Sequence, residues 1–390
     1  MTHRKSSILT ALLVMAGILF IILISFHASR PPAVVPAEAS AEAFSAARAA
    51  MHLPQIASVP NPLGSTANAE VGEYLYEQLQ VLGLEPQVQT TRYQYHDRVA
   101  NLVNVMARIE GTGDGSAILF MGHYDSRISA PGASDNGSAV ITMLELIRML
   151  QHHPTTENDM IFLFSDGEEF GLLGAQAFMA EHPWTQGIGL VINFEAMGTN
   201  GQSLMFETGT NNLEVVREFA RAVPYPVGNS LSVEIYNRMP NYTDFEVFKT
   251  LGYQGLNFAY IGNSFDYHTP GDNIENTDLR SVQHHGSYAA ALALYFANKP
   301  LELEQEQNAV YFNTFGYGFA MYPYTWVPAI TVLVLLAGVV IVAMGIYRKR
   351  IHPVRMLSGL VSFAILLLIL FVSFDAIYQI IASYYPGNSF

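Results

Sequence analysis

The sequence predicts an open α/β domain, its mixed sheet mostly parallel and flanked by helices, joined to one N-terminal and two C-terminal transmembrane helices. Three observations predict it. Strand-like and helix-like patterns alternate through the middle of the chain. Three apolar runs of about 20 residues, long enough to cross a bilayer, lie outside that middle stretch. Each central strand candidate also runs directly into a polar cluster, the arrangement expected where ligands meet the carboxyl edge of an α/β sheet.

In chain order, the first apolar run is Ser7 to Phe26, preceded by His3, Arg4 and Lys5. A cleaved signal peptide would have a shorter apolar core and a small-x-small site close behind it, and Ala39-Ser40-Ala41 lies too far downstream. An uncleaved anchor over residues 1–28 is therefore expected. Ser29–Ala41 is rich in proline and alanine and reads as a tether, giving a linker over 29–44. Residues 45–300 form the globular domain. Val71, Leu75, Leu79 and Leu82 repeat at helical spacing in Thr66–Leu82, with Gly83 as the stop. Asn101–Ile109 reads as a strand. Ala117–Met121, Met160–Phe164 and Leu190–Phe194 are short continuous apolar runs, as strands buried on both faces require. Ser138–Leu150, Asn212–Ala222, Thr243–Leu251 and Thr277–Ala297 read as helices and Gly255–Tyr260 as a strand.

Residues 301–323 return to the membrane through the polar stretch Leu301–Gln307, and 324–385 hold the spans Val327–Ile346 and Met356–Ile377. The loop between them, Tyr347–Arg355, carries Arg348, Lys349, Arg350 and Arg355, and short basic loops stay cytoplasmic. The domain then faces the other side. Tyr322, Tyr324 and Trp326, with Tyr384 and Tyr385, suit aromatic anchors at the outer interface. The expected setting is a bacterial inner or plasma membrane, with the domain on its extracytoplasmic side.

Composition narrows the chemistry. Charged residues make up only 13% of the 390, whereas a soluble domain carries about 25%. The net charge of −14 leaves no basic stripe to displace counterions from phosphates, so a nucleic-acid partner is not expected. Cysteine is absent, so a metal would be held by imidazole and carboxylate.

Those donors cluster after the strand candidates. Met121 leads into Gly122-His123-Tyr124-Asp125, Phe164 into Ser165-Asp166-Gly167-Glu168-Glu169, and Phe194 into Glu195. Asp135 sits in a small-residue loop that opens a helix, where glycine allows close approach to a metal. Asp125, two residues after His123, is spaced to orient that imidazole. Adjacent Glu168 and Glu169 suit a division of labour between metal ligation and proton transfer.

Taken in order, His123-Tyr124-Asp125-Ser126, Ser134-Asp135-Asn136-Gly137-Ser138, Asp166-Gly167-Glu168-Glu169-Phe170-Gly171, Asn193-Phe194-Glu195-Ala196-Met197-Gly198 and Tyr267-His268-Thr269-Pro270-Gly271-Asp272 resemble the di-zinc aminopeptidase family, metallopeptidase family twenty-eight. The resemblance covers roughly residues 65–300. It implies a zinc-exopeptidase type of fold and two zinc ions. His123, Asp135 and Glu195 would hold one ion; Asp135, Glu169 and His268 would hold the other. Glu168 becomes the general base, Asp125 the orienter of His123, and Tyr267 a candidate for stabilising the oxyanion. Asp244 either lines the pocket or caps a helix. Glu195 stands where secreted members commonly carry Asp, and the Asn-Phe-Glu-Ala-Met-Gly form looks more like the endoplasmic-reticulum metallopeptidase branch. The implied activity is hydrolysis of peptides from their N-termini. Competing functions are a glutaminyl cyclase-like single-zinc enzyme and a receptor-like ectodomain without catalysis.

Several features read as bland. His152-His153 and His284-His285 have no carboxylate at ligand spacing and are expected to be solvated. The sequon at Asn136 falls in the metal loop. No His-Glu-x-x-His and no Gly-x-Ser-x-Gly occur, which disfavours single-zinc helix proteases and serine hydrolases.

Overall fold

The structure, a computed structural model, describes residues 2–95, 98–303, 306–315 and 318–384. Packing divides the chain into two units, Met1–Pro323 and Tyr324–Phe390.

The first unit is built on a seven-stranded sheet: β1 (Gln87–Tyr95), β2 (Arg98–Ile109), β3 (Ala117–His123), β4 (Asp159–Ser165), β5 (Ile188–Ala196), β6 (Leu204–Thr208) and β7 (Gly255–Tyr260). Their spatial order is β1-β2-β4-β3-β5-β7-β6. The four central strands, β4, β3, β5 and β7, run parallel, while β1, β2 and β6 pair antiparallel at the flanks. The expected mixed α/β sheet is therefore present. Every residue of β3 and β4 is buried, which explains why both read as unbroken apolar runs.

Helices cover both faces. On one face the helix Gly137–Leu150 lies against β3, with every residue except Arg148 buried, and the helix Leu279–Phe296 packs over it. Phe120, Phe162, Phe194 and Phe258 project into this layer. On the opposite face Leu119, Met121, Ile161 and Leu163 meet Phe178, Phe245 and Phe248 from the helices Leu173–Glu181 and Phe245–Thr250. A second small sheet pairs β8 (Ala309–Asn313) with β9 (Phe319–Pro323).

The stretch after the first helix, Thr2–Ala28, does not behave as the loose tether expected over residues 29–44. Arg48 gathers it against the domain, with Nη1 donating to the carbonyls of Ala37 (2.6 Å) and Ala39 (2.9 Å). Its Nε meets buried Glu145 at 3.0 Å. Gln283 Oε1 accepts the Val35 and Ala46 amides, and Phe44 is buried. Composition suggested flexibility, but the backbone groups of this segment find fixed partners. The described apolar part of the first helix runs Leu12–Ala28.

In the second unit, Tyr324–Tyr347 and Pro353–Ile380 are long and apolar enough to cross a membrane. The side chain of Tyr384 and all of Tyr385, expected as interface anchors, lie outside the described residues, as do positions 304–305 of the polar connection.

Candidate metal centre

The centre forms where the parallel strands end. β3 ends in His123, β5 carries Glu195 near its end, and β4 leads into the tight turn holding Glu168 and Glu169. Gly167 has φ of 70°, the left-handed region glycine enters without a Cβ penalty, and so reverses the chain directly after β4. That reversal aims the amides of Glu168 and Glu169 at the Asp125 carboxylate, at 3.1 and 3.3 Å.

The predicted ligands converge. His123 Nε2 lies 3.4 Å from Asp135 Oδ1 and 3.6 Å from Glu195 Oε2. His268 Nε2 lies 3.1 Å from both Asp135 Oδ2 and Glu169 Oε1. Asp135 thus presents one oxygen to each imidazole, the position a shared ligand would occupy. Glu168 Oε2 approaches His123 Nε2 at 3.9 Å, so its carboxylate borders the same space. Ligand atoms of His123, Glu168 and Glu195 lie within 4.8 Å of one another, and so do those of His123, Asp135 and Glu169.

This donor set fits divalent cations. Four largely buried carboxylates, Asp135, Glu168, Glu169 and Glu195, are turned on the buried His123 and the part-exposed His268. Burying uncompensated charge costs several kcal/mol per group, and bound divalent cations would offset it. His268 Nε2 and Glu169 Oε1 are also buried without a hydrogen-bond partner, as groups reserved for a metal would be.

The ionisation pattern has the same origin. Burial, followed by the charges of Glu195, Glu169 and Asp244, pushes Glu168 well above the usual carboxylate range against the pull of His123. Burial also raises Glu169 and Glu195. For Asp135 burial acts upward, yet the close approach and charges of His123 and His268 carry it below the ordinary value. Burial would lower His268, but Asp135 and Glu169 bring it up to about 9.

Supporting groups hold this shell. Asp125 orients His123 chiefly through its backbone carbonyl, 2.9 Å from Nδ1; its carboxylate, at 3.4 Å, is spent mainly on the two glutamate amides. Tyr267 stacks on His268 with ring centroids 3.7 Å apart, and burial keeps its hydroxyl protonated. Asp244 occupies the N-cap position of Phe245–Thr250 without making a side-chain cap bond. Instead it is fully buried, accepts from the Ser165 hydroxyl and lies near Glu168, so it supports the floor of the site.

Sequence reasoning missed four supporting residues. Asp272 accepts the Ser134 amide at 2.7 Å and the Asp135 amide at 3.0 Å, fixing the loop that presents Asp135. Asn136 and Asn193 donate to Glu195 Oε2 and Oε1 at 3.0 and 2.9 Å. Arg127 pairs with Glu169 Oε2 at 2.6 Å. Asp272, Asn136 and Asn193 all lay inside the resembling motifs, and Arg127 follows the first of them; what no motif showed was which atoms each would reach.

The pair His284-His285, expected to be solvated, is instead buried. Ser203 donates its amide to His284 Nδ1 at 3.1 Å, and its hydroxyl meets His285 Nδ1 at 2.7 Å. His285 Nε2 lies 3.0 Å from the Glu195 carbonyl, so this pair underpins β5 beneath a candidate ligand. Both rings face inward, where Ser203 in the loop before β6 meets each Nδ1 and the β5 backbone meets His285 Nε2.

Beside the site lies a cavity of about 280 Å³, lined by Arg127, Glu168, Glu169, Tyr242, Tyr267 and His268 among others.

Residues 104–293 match the profile of Peptidase family M28. That stretch is a peptidase family M28 domain. Vacuolar membrane protease of Candida albicans is 33% identical over 277 residues, covering 69% of this chain and 32% of its own length. Endoplasmic reticulum metallopeptidase 1 of Mus musculus is 28% identical over 337 residues, 79% of this chain and 37% of its own. The chain thus spans about a third of the length of these curated relatives. Among solved structures, the aminopeptidase from Aneurinibacillus sp. strain AM-1 aligns with a TM-score of 0.55 at 15% identity, over 69% of this chain and 97% of that one. Macrostomum lignano glutaminyl cyclase aligns at 0.56 and 18%, over 70% and 98%. These likenesses establish the fold of the M28 domain. The expected resemblance, including its endoplasmic-reticulum branch, is borne out.

Proposed function

We propose that this chain is a membrane-anchored zinc metallopeptidase that removes residues from the N-termini of peptides. The observation that carries the reading is the convergence of His123, Asp135, Glu169, Glu195 and His268 at the sheet's carboxyl edge, with Glu168 bordering the same space. His123, Asp135 and Glu195 would hold one zinc, and Asp135, Glu169 and His268 the other. Zinc held there supplies Lewis acidity for the scissile carbonyl and lowers the pKa of a water to ~7.

The remaining work falls to side chains. Glu168, whose carboxylate borders the ligand space 3.9 Å from His123 Nε2, accepts a proton from the attacking water and returns it to the leaving amine. Tyr267 keeps its proton and can donate a hydrogen bond to the oxygen that gains charge as the carbonyl is attacked. Asp125, Asp272, Asn136 and Asn193 hold the ligands in place so that no reorganisation is needed during the reaction. The small cavity favours a chain end over a segment of an extended polypeptide. The basic loop around Arg348–Arg350 stays cytoplasmic, which sets the domain on the far side of the membrane.

The test uses the full-length protein in detergent, loaded with zinc, acting on leucine p-nitroanilide and on its N-acetyl derivative. Only the free amine is expected to turn over. Glu168→Gln should lower kcat by about 10²–10⁴ with zinc content unchanged. Unchanged turnover in that variant would overturn the mechanism, and equal cleavage of the acetylated substrate would overturn the exopeptidase reading.

A further inference from the structure

Arg127 lies in the loop after β3, two residues past Asp125. It is the one Lys or Arg lining the described cavity, whose wall otherwise carries the carboxylates of Glu168 and Glu169. Its Nε stands 2.6 Å from Glu169 Oε2, while the other oxygen of that carboxylate faces His268 Nε2 at 3.1 Å. The guanidinium is therefore one carboxylate's width from the metal shell. The Arg127 side chain is 45% exposed, whereas that of Glu169 is only 4%. A guanidinium is a rigid fork with five donors. Its Nε forms the ion pair with Glu169, and among the described residues neither Nη atom makes a hydrogen bond.

A cavity dominated by carboxylates repels an anionic substrate group everywhere except beside this cation. In a dipeptide the terminal carboxylate is carried on the carbon next to the scissile nitrogen. Each further residue can move it away by up to ~3.3–3.6 Å. An arginine this close to the metal shell therefore measures the distance from the cleaved bond to the chain's end.

Resting on the peptidase reading above, we propose that Arg127 binds the free C-terminal carboxylate of very short peptides. The site then favours dipeptides with a free acid over their amides and over longer chains. A purely structural alternative is that Arg127 only balances and orients Glu169, in which case acid and amide would be affected alike.

The experiment measures calorimetric binding of leucyl-glycine and leucyl-glycinamide to the full-length, zinc-loaded Glu168→Gln protein, in which turnover is slowed enough to read binding. The free acid should bind roughly 10- to 100-fold tighter, the range for a hydrogen bond to a charged group. Adding Arg127→Gln should collapse that ratio to near unity, and Arg127→Lys should restore part of it. Zinc content is measured for each variant. Equal binding of acid and amide before Arg127 is changed would overturn the proposal. So would a preference that survives Arg127→Gln while both affinities fall together. If the unmutated enzyme hydrolyses no peptide, the peptidase reading fails, yet the binding ratio still decides the role of Arg127.

Discussion

Asp272 offers a sharp test of how the metal loop is held. Its carboxylate, 1% exposed, accepts the Ser134 amide on Oδ1 at 2.7 Å and the Asp135 amide on Oδ2 at 3.0 Å. Replacing it with alanine leaves two buried N–H groups unsatisfied, at about 1–3 kcal/mol each, or about 2–6 kcal/mol together. An opposing effect reduces that sum. Burial, then the charge of Asp135, pushes Asp272 up to about 7, so removing the side chain relieves some repulsion. The two lost hydrogen bonds outweigh this relief, because their donors have no water to turn to. Asp272→Ala should therefore weaken zinc binding by about 10–100-fold, the usual penalty for losing a group that positions a ligand. Asp272→Asn, which keeps one acceptor, should fall in between. Chelator competition reads the affinity, and hydrogen exchange by mass spectrometry reads the Ser134–Asp135 amides directly. Zinc affinity within twofold of the parent, with those amides still protected, would show that Asp272 does not hold the loop.

Other consequences follow from the packing. Burial holds the pKa of His284 at about 4 against 6.5 for a free imidazole, and its Nδ1 must stay unprotonated to accept the Ser203 amide. Acid therefore favours the unfolded chain: about 3 kcal/mol of stability is present above pH 6.5 and is lost as pH falls toward 4. Thermal unfolding of His284→Asn, whose Oδ1 can replace Nδ1, should show a shallower loss over that window than the parent, and an unchanged slope would count against it. At Gly255 a methyl group would sit 2.3 Å from Phe245 Cε2 and 2.7 Å from the Val191 carbonyl. Gly255→Ala should cost about 1–3 kcal/mol or more through overpacking, seen as a lowered unfolding midpoint; a neutral result would mean β5 and β7 yield more easily than their pairing implies.

How much of this was legible in the sequence depended on the kind of contact. β3, β4 and β5 announced themselves because strands buried on both faces must be continuously apolar. β1, with the sequence Gln87-Val-Gln-Thr-Thr-Arg-Tyr-Gln-Tyr95, lies at the sheet's edge and carries few apolar residues, so it gave no comparable signal. The ligand candidates were legible because imidazoles and carboxylates fell directly after strand ends. His284 and His285 were misread through attention to their neighbours in sequence. Ser281, His285, Tyr288 and Leu292 recur at helical spacing and are all buried, so the inward stripe was already visible. Arg127 on Glu169 and Asp272 on the Asp135 loop join residues 42 and 137 positions apart, and no local pattern encodes such pairings. The docking of residues 29–45 was hidden for the same reason, since Arg48 and Gln283 do the holding.

Asp135 presents one oxygen to each imidazole, and the proposed centre makes it the ligand shared between two ions held by His123, Glu195, Glu169 and His268. Native mass spectrometry of the zinc-loaded full-length chain, compared with Asp135→Ala and with Glu195→Ala, counts the ions. Two zinc ions per chain are expected in the parent, one after Glu195→Ala, and neither ion firmly held after Asp135→Ala. A parent that saturates at one zinc, or an Asp135→Ala chain that still holds two, would contradict that arrangement.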